Sequence, residues 1–172
     1  MLVRPVRPHE LPDVAAMMRA LWPTPDPYDF RDESVFVWQR DDGSGLGGFV
    51  SFSIRPWAEG CDSSPVPYIE GWWVAPDLRG TGVGRALVDA VERWGLEHGY
   101  WELGSDVDLN NEASLRAHAA LGFEPTLRLQ SFGNDWVEIG PYAGIVTPLA
   151  PIWSQRQEHA APRVGHTNEL LV

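Results

Sequence analysis

Apolar positions change their spacing several times along this chain. Leu2 to Val6 reads as an opening strand. From Glu10 to Leu21, Val14, Met17, Met18 and Leu21 recur at helical spacing, which predicts an amphipathic helix. Pro23, Pro25 and Pro27 then end it, because proline removes a backbone donor and clashes with the preceding turn. Thr24 to Ser34 is polar, acidic and Pro-rich, hence a loop. Val35 to Gln39 and Gly47 to Ile54 read as strands joined by the turn Asp41-Asp42-Gly43-Ser44-Gly45.

After a loop from Pro56 to Pro67, Tyr68 to Val74 is an aromatic-rich strand. Val83, Leu87, Val91 and Trp94 mark one face of a helix over about Gly82 to Glu97, and Gly99 ends it. Tyr100 to Gly104 reads as a strand, Asn111 to Leu121 as a helix closed by Gly122, and Thr126 to Phe132 as a further strand. Trp136 to Ile139 is a candidate last strand. From Pro148 the periodicity lapses, so residues 148–172 are expected to be a mobile extension of a single domain over 1–147. Strands interleaved with helices indicate a mixed α/β layer fold.

Composition narrows the function. The 172 residues are 44% hydrophobic, and no apolar run approaches the length of a membrane span. The single cysteine, Cys61, excludes an intramolecular disulfide and suits a reducing cytoplasm. Thirteen basic residues, all arginine, stand against 24 acidic ones, a net charge of −11. Such a surface disfavours nucleic acid and anionic membrane and favours a cationic small molecule. Simple solubility explains the charge equally well until a site is found.

Two blocks carry chemistry. The first is Val74-Ala75-Pro76-Asp77-Leu78-Arg79-Gly80-Thr81-Gly82-Val83-Gly84-Arg85, where a strand ends, a Gly-rich turn follows and a helix opens. Glycines allow the backbone to approach a ligand, and the unsatisfied amides of a helix start bind phosphate. The spacing is neither a dinucleotide fingerprint nor a P-loop, which would need a Lys-Ser/Thr pair. In the second block, Asn111, Ser114 and His118 share one face of a helix that ends Leu121-Gly122-Phe123. Nothing in the sequence has metal-ligand spacing.

Together these blocks resemble the acyl-CoA phosphate loop and second motif of the GNAT superfamily. The stretch from Ser63 through Tyr68-Ile69-Glu70-Gly71, with Ser105-Asp106, Asn111, Ser114, His118 and Leu21-Trp22, is similar to aminoglycoside 6'-N-acetyltransferases. The resemblance implies a mixed, mostly antiparallel sheet flanked by helices, with central strands splayed at an acetyl-CoA site. It implies cofactor contacts at Trp72, Trp73, Val74, Arg79, Gly80, Thr81, Gly82, Val83, Gly84, Arg85, Asn111 and Ser114, and acceptor contacts at Trp22, Trp57, Glu70 and Asp106. A homodimer is compatible with it. The match departs in three places. Trp22 to Ser34 is short and Pro-rich where the family carries a longer helical segment. Pro125 replaces an acidic residue. The chain also continues past the family's usual end near residue 132.

Acetyl transfer needs a neutral amine, a polarised thioester carbonyl and a protonated leaving thiolate. Glu70, polar within an otherwise apolar strand, suits a proton acceptor acting directly or through water. It equally suits a rim charge paired with an arginine. Asp106 is the other candidate base, and suits a second anchor for a polycation, or a turn or cap. A backbone amide near Val74 suits the oxyanion. His118 stands where many superfamily members have a tyrosine, and an imidazolium there would protonate the thiolate. It also reads as a helix-surface histidine without a role. Trp22 and Trp57 offer aromatic faces to sugar rings and ammonium groups. Acetyl transfer to a polyamine or a peptide amine is the first alternative. A non-catalytic acyl-CoA-binding module is the second, and it has no need of Glu70, Asp106 and His118 together.

Overall fold

The apolar stripe predicted for the first helix is the face that packs. In the computed structural model, which describes residues 3–22, 28–58, 60–130 and 141–149, α1 spans Leu11–Leu21 and buries Val14 and Met18. They meet Val35, Val37 and Phe49 of the sheet. Gly71 makes the close approach possible, since a Cβ there would lie 2.6 Å from Met18 Cε. Burial of side chains of this size stabilises the fold by roughly 1.5–3 kcal/mol each.

The strands are β1 (Val3–Pro5), β2 (Ser34–Gln39), β3 (Leu46–Arg55), β4 (Val66–Val74), β5 (Glu102–Asp108), β6 (Glu124–Gln130) and β7 (Pro141–Pro148). They form one sheet in the order β1-β2-β3-β4-β5-β7-β6. Every neighbouring pair is antiparallel except β4–β5, which is parallel and laddered only at Tyr68 opposite Gly104. The mixed, mostly antiparallel sheet expected from the resemblance is therefore present. α2 (Val83–Glu97) covers the opposite face from α1, packing Leu87, Val88 and Val91 on Val50, Phe52, Ile69 and Leu103. α3 (Glu112–Ala120) lies against β5.

β4 contains an irregularity on which the site depends. Ser51 pairs with Gly71, but Phe52 pairs with Ile69, so Glu70 is the extra residue of a β-bulge. On the α2 side of the bulge lie Ile69 and Trp72. Tyr68, Gly71 and Trp73 turn to the α1 side.

Two expectations need correction. β5 runs from Glu102 to Asp108 and not from Tyr100 to Gly104, so Asp106 is inside the strand. Its polar residues have partners within the fold, which hides the strand pattern: buried Glu102 accepts the Ser63 and Asp62 amides at 2.6 and 3.3 Å. β7 was not expected at all. It inserts between β5 and β6, and Leu149 just beyond it is 1% exposed, so packing reaches past residue 147. The candidate strand Trp136 to Ile139 and residues 150–172 of the expected extension lie outside the described residues. Among the described residues no helix is long and apolar enough to cross a membrane.

Candidate active site

The end of β4 and the turn after it build one wall of a cleft. Gly80 (φ +75°) and Gly82 (φ +95°) adopt the left-handed backbone that other residues enter only at a cost. Gly82 caps α2 without any side chain, and the first helical hydrogen bond runs from Ala86 N to Gly82 O at 3.0 Å. The amides of Val83, Gly84 and Arg85 precede that first bond, where a helix leaves its donors orphaned and its dipole positive. Such a wall fits a pyrophosphate. α3 forms the other wall. Its first turn is capped by Asn111, whose Oδ1 accepts from Ser114 N at 3.0 Å.

The cleft between these walls has a volume of about 610 Å3. Of the residues expected to hold acetyl-CoA, Trp72, Trp73, Val74, Arg79, Gly80, Gly82, Gly84, Arg85, Asn111 and Ser114 line it. Thr81 and Val83 do not. The Thr81 hydroxyl donates to Leu78 O at 2.7 Å, and the Val83 side chain is buried in the core, which leaves only its amide for the cleft. Leu21, Ala113, Ala117, Ala120 and Leu121 were missed. The signal for Ala113, Ala117 and Ala120 was the small-residue stripe of α3, which keeps that wall thin. Because the β4–β5 ladder stops at Tyr68, the backbone from Trp72 to Val74 borders the cleft as a strand edge, suited to an extended pantetheine arm. Trp72 Nε1 is buried with no hydrogen-bond acceptor among the described residues, a donor that a ligand oxygen would satisfy. The arginines are positioned by the fold itself. Arg79 Nε donates to Val74 O at 3.0 Å, and Arg85 donates to Ala120 O across the cleft.

His118 lies behind the cleft wall, buried and not on the helix surface. It is 5% exposed and is not among the cleft-lining residues. Its ring sits edge-on to Trp72 and Phe123, at 5.1 and 5.2 Å between centroids. Nδ1 lies 2.8 Å from Ser114 O, a carbonyl that can only accept, so Nδ1 carries the proton. Nε2 faces the Ser105 hydroxyl at 3.4 Å. Burial lowers the His118 pKa below its ordinary value, against the bond to Ser114 O, so the ring is neutral at pH 7. Burial therefore disfavours the imidazolium that the proton-donor reading calls for. Ser114, hydrogen-bonded to His118, is the member of the pair that lines the cleft.

Glu70 and Asp106 each lie two residues beyond the Tyr68–Gly104 pair, and both act on the Arg55 guanidinium. Glu70 is paired, as one of its two readings allowed. Arg55 Nε donates to Oε1 at 2.9 Å and Nη2 to Oε2 at 2.6 Å, while Ser53 Oγ donates to Oε1 at 2.6 Å. The Arg55 guanidinium also lies 3.5 Å over the Tyr68 ring. Burial strips Arg55 of hydration, yet Glu70, with Tyr68 and then Asp106, more than offsets it and holds its pKa above the ordinary value. Glu33 accepts from Tyr28 Oη at 2.6 Å, and its carboxyl is pushed up by burial, against that bond and the nearby Ser51 hydroxyl. Arg55 and Ser53 were missed, since only the β3–β4 register brings them to Glu70, and Tyr28 and Glu33, in the loop before β2, were missed with them. Trp22 and Trp57 are exposed, at 40% and 65%, and neither lines the cleft, although Trp22 follows Leu21, which does. Among the described residues no group of three or more His, Cys, Asp or Glu is placed to hold a metal ion.

Comparison with known proteins agrees with this geometry. The profile of the acetyltransferase (GNAT) family matches residues 9–123. An aminoglycoside N(6')-acetyltransferase type 1 from Klebsiella aerogenes is 38% identical over 144 residues, covering 76% of this chain and 94% of the relative. The structure of AAC(6')-Iy in complex with the bisubstrate analogue CoA-S-monomethyl-acetylneamine superposes with a TM-score of 0.67 at 32% identity, over 77% of this chain and 96% of that one. A structure of AAC(6')-Iy in complex with CoA gives a TM-score of 0.69 at 32% identity, over 77% and 93%. The chain belongs to the GNAT acetyltransferase family, with aminoglycoside N(6')-acetyltransferases among its relatives.

Proposed function

We propose that this protein transfers the acetyl group of acetyl-CoA to the 6'-amine of an aminoglycoside. The observation that carries the reading is that one strand, β4, both borders the cleft and carries the Glu70 bulge. Its end, Trp72 to Val74, borders the phosphate-type cleft, and its bulge presents Glu70 among acidic groups on the α1 side. The similarity to proteins named as aminoglycoside N(6')-acetyltransferases, and to one solved with a CoA–aminoglycoside bisubstrate analogue, supports the choice of acceptor.

In this reading the α2 amides, Arg79 and Arg85 hold the pyrophosphate, and the edge of Trp72 to Val74 aligns the pantetheine arm. Bound there, acetyl-CoA supplies the acetyl thioester. An aminoglycoside amine is mostly protonated at pH 7, so the site must remove a proton. Counting the described residues, Glu70 has one lone-pair position left. Oε1 already accepts two hydrogen bonds and Oε2 only one, so Oε2 takes the proton, directly or through water. Asp106, Trp22 and Trp57 receive the rest of the acceptor. The Ser114 hydroxyl is the proton-bearing group of α3 at the cleft.

Thiol release from acetyl-CoA, measured across a panel of aminoglycosides and simple polyamines, tests this. Turnover is expected with compounds that carry a 6'-amine and is expected to vanish when that amine is replaced by hydroxyl. Acetyl-CoA binding without turnover of any aminoglycoside would sink the acceptor assignment and leave polyamine or peptide amines, or binding alone.

A further inference from the structure

A second cavity lies between α1 and the segment that leads into β2, and it shares no lining residue with the cleft. Its volume is about 680 Å3, a size that suits a small-molecule ring. Leu11, Pro12 and Ala15 of α1 form an apolar wall. Tyr28, Phe30 and Glu33 form the wall opposite, where the two rings stand 4.8 Å apart at 54°. Asp29 also lines the cavity, but its carboxylate is taken by Arg31 at 2.6 Å. Glu33 is less satisfied. Its Oε1 accepts from Tyr28 Oη at 2.6 Å, while Oε2 is buried with no hydrogen-bond partner among the described residues. A buried carboxylate oxygen without a donor is costly, and it marks a place where a donor is wanted. Aromatic faces beside such a carboxylate suit an ammonium group carried on a saturated ring.

The strand register ties this cavity to Glu70. Ser34 lies opposite Phe52, so Glu33 comes beside Ser53, whose hydroxyl donates to Glu70 Oε1 at 2.6 Å. Glu33 and Glu70 are thus two strand spacings apart, roughly 10 Å between their backbones. Amines on different rings of an aminoglycoside can cover that span, and a single amino sugar cannot. We propose that this cavity is a second subsite of the acceptor site, in which Glu33 binds an amine on a ring remote from the one that is acetylated. The proposal rests on the acceptor reading above and extends it to the part of the substrate that does not react. Glu33 touches no reacting atom in this arrangement, so it acts on acceptor affinity and on the choice among acceptors.

The experiment compares E33Q and A15F with the unmodified protein, using a multi-ring aminoglycoside and a single-ring sugar that carries only the reacting amine. E33Q keeps the shape and removes the charge, and A15F fills the cavity from α1 and leaves Glu33 in place. In both variants the KM of the multi-ring acceptor is expected to rise about tenfold, the loss of one charge-assisted hydrogen bond, with kcat within about twofold. The single-ring KM is expected to move by less than about twofold. Circular dichroism and the thermal shift on adding acetyl-CoA report folding, and if E33Q does not fold, A15F decides alone. Equal changes for the two acceptors, or a multi-ring KM that stays put in a folded variant, would overturn the subsite and leave the acceptor reading standing. Absence of aminoglycoside turnover by the unmodified protein is a different result, and it would overturn the acceptor reading and the subsite together.

Discussion

His118 Nδ1 has two neighbours within hydrogen-bonding distance, and both belong to Ser114. A histidine so enclosed contributes mainly to stability. Its pKa is depressed in the fold, while the unfolded chain titrates near the ordinary value of about 6.5. Below about 6.5 the unfolded state therefore binds a proton that the native state refuses, and stability declines as pH falls toward the folded pKa. Above about 6.5 the contribution is complete. The melting temperature is expected to drop between pH 7 and pH 5 more steeply in the unmodified protein than in H118Q. H118A is expected to cost about 2–4 kcal/mol in denaturant titration, through a cavity beside Trp72 and Phe123. Folded H118A molecules should keep most of their turnover; a large loss of kcat without loss of stability would return the histidine to the chemistry.

At the scale of elements, the meeting of α2 with β4 sets the cleft. A Cβ at Gly84 would lie 2.8 Å from Trp72 Cζ2, so the helix start rests directly on the strand that borders the thioester arm. G84A is expected to push the Trp72 ring into the cleft and raise the Kd of acetyl-CoA about tenfold, read as a smaller acetyl-CoA-dependent thermal shift. Thr81 lies in the same turn with its hydroxyl already bound to Leu78 O, and T81A should change that shift little. The turn and both longer helices were legible in the sequence, because glycine punctuation and a 3.6-residue period are local signals. β5 was legible only in part. Glu102, Ser105 and Asp106 look like loop residues until the amides of 62–63 and His118 are in place beside them. The β4 bulge left no local trace either, because it is a property of pairing between Ser51–Phe52 and Ile69–Gly71. Arg55 was hidden for the same reason. It and Glu70 lie 15 residues apart and become neighbours only through that register.

Over the whole molecule, charge and layering divide the work. The chain carries −11 overall, yet Arg79 and Arg85 stand at the cleft, while Arg55 is gripped by Glu70 and feels Asp106. A polycationic acceptor should accordingly feel the field of the entire protein, screened over about 10 Å at 0.1 M salt. Raising salt from about 0.05 to 0.5 M is expected to raise the acceptor KM several-fold for a compound with four amines and hardly at all for a single-amine sugar; equal changes for both would show that the field plays no part. The mixed α/β architecture was legible from the order of elements, whereas the place of β7 between β5 and β6 was not, since long-range pairing leaves no local period. The single extra residue in β4 has a consequence for how such a protein drifts in sequence. Side chains alternate faces along a strand and the bulge resets that alternation, so losing a residue from 67 to 69 would iron out the bulge and turn Glu70 toward the core, while losing Glu70 itself would remove the carboxylate. The hairpin at 41–45, exposed and far from β4 in sequence, carries no such penalty. Length variation among descendants of this chain should therefore collect in that hairpin and spare β4, and a library that inserts or deletes residues there would survive where the same edits in β4 would not.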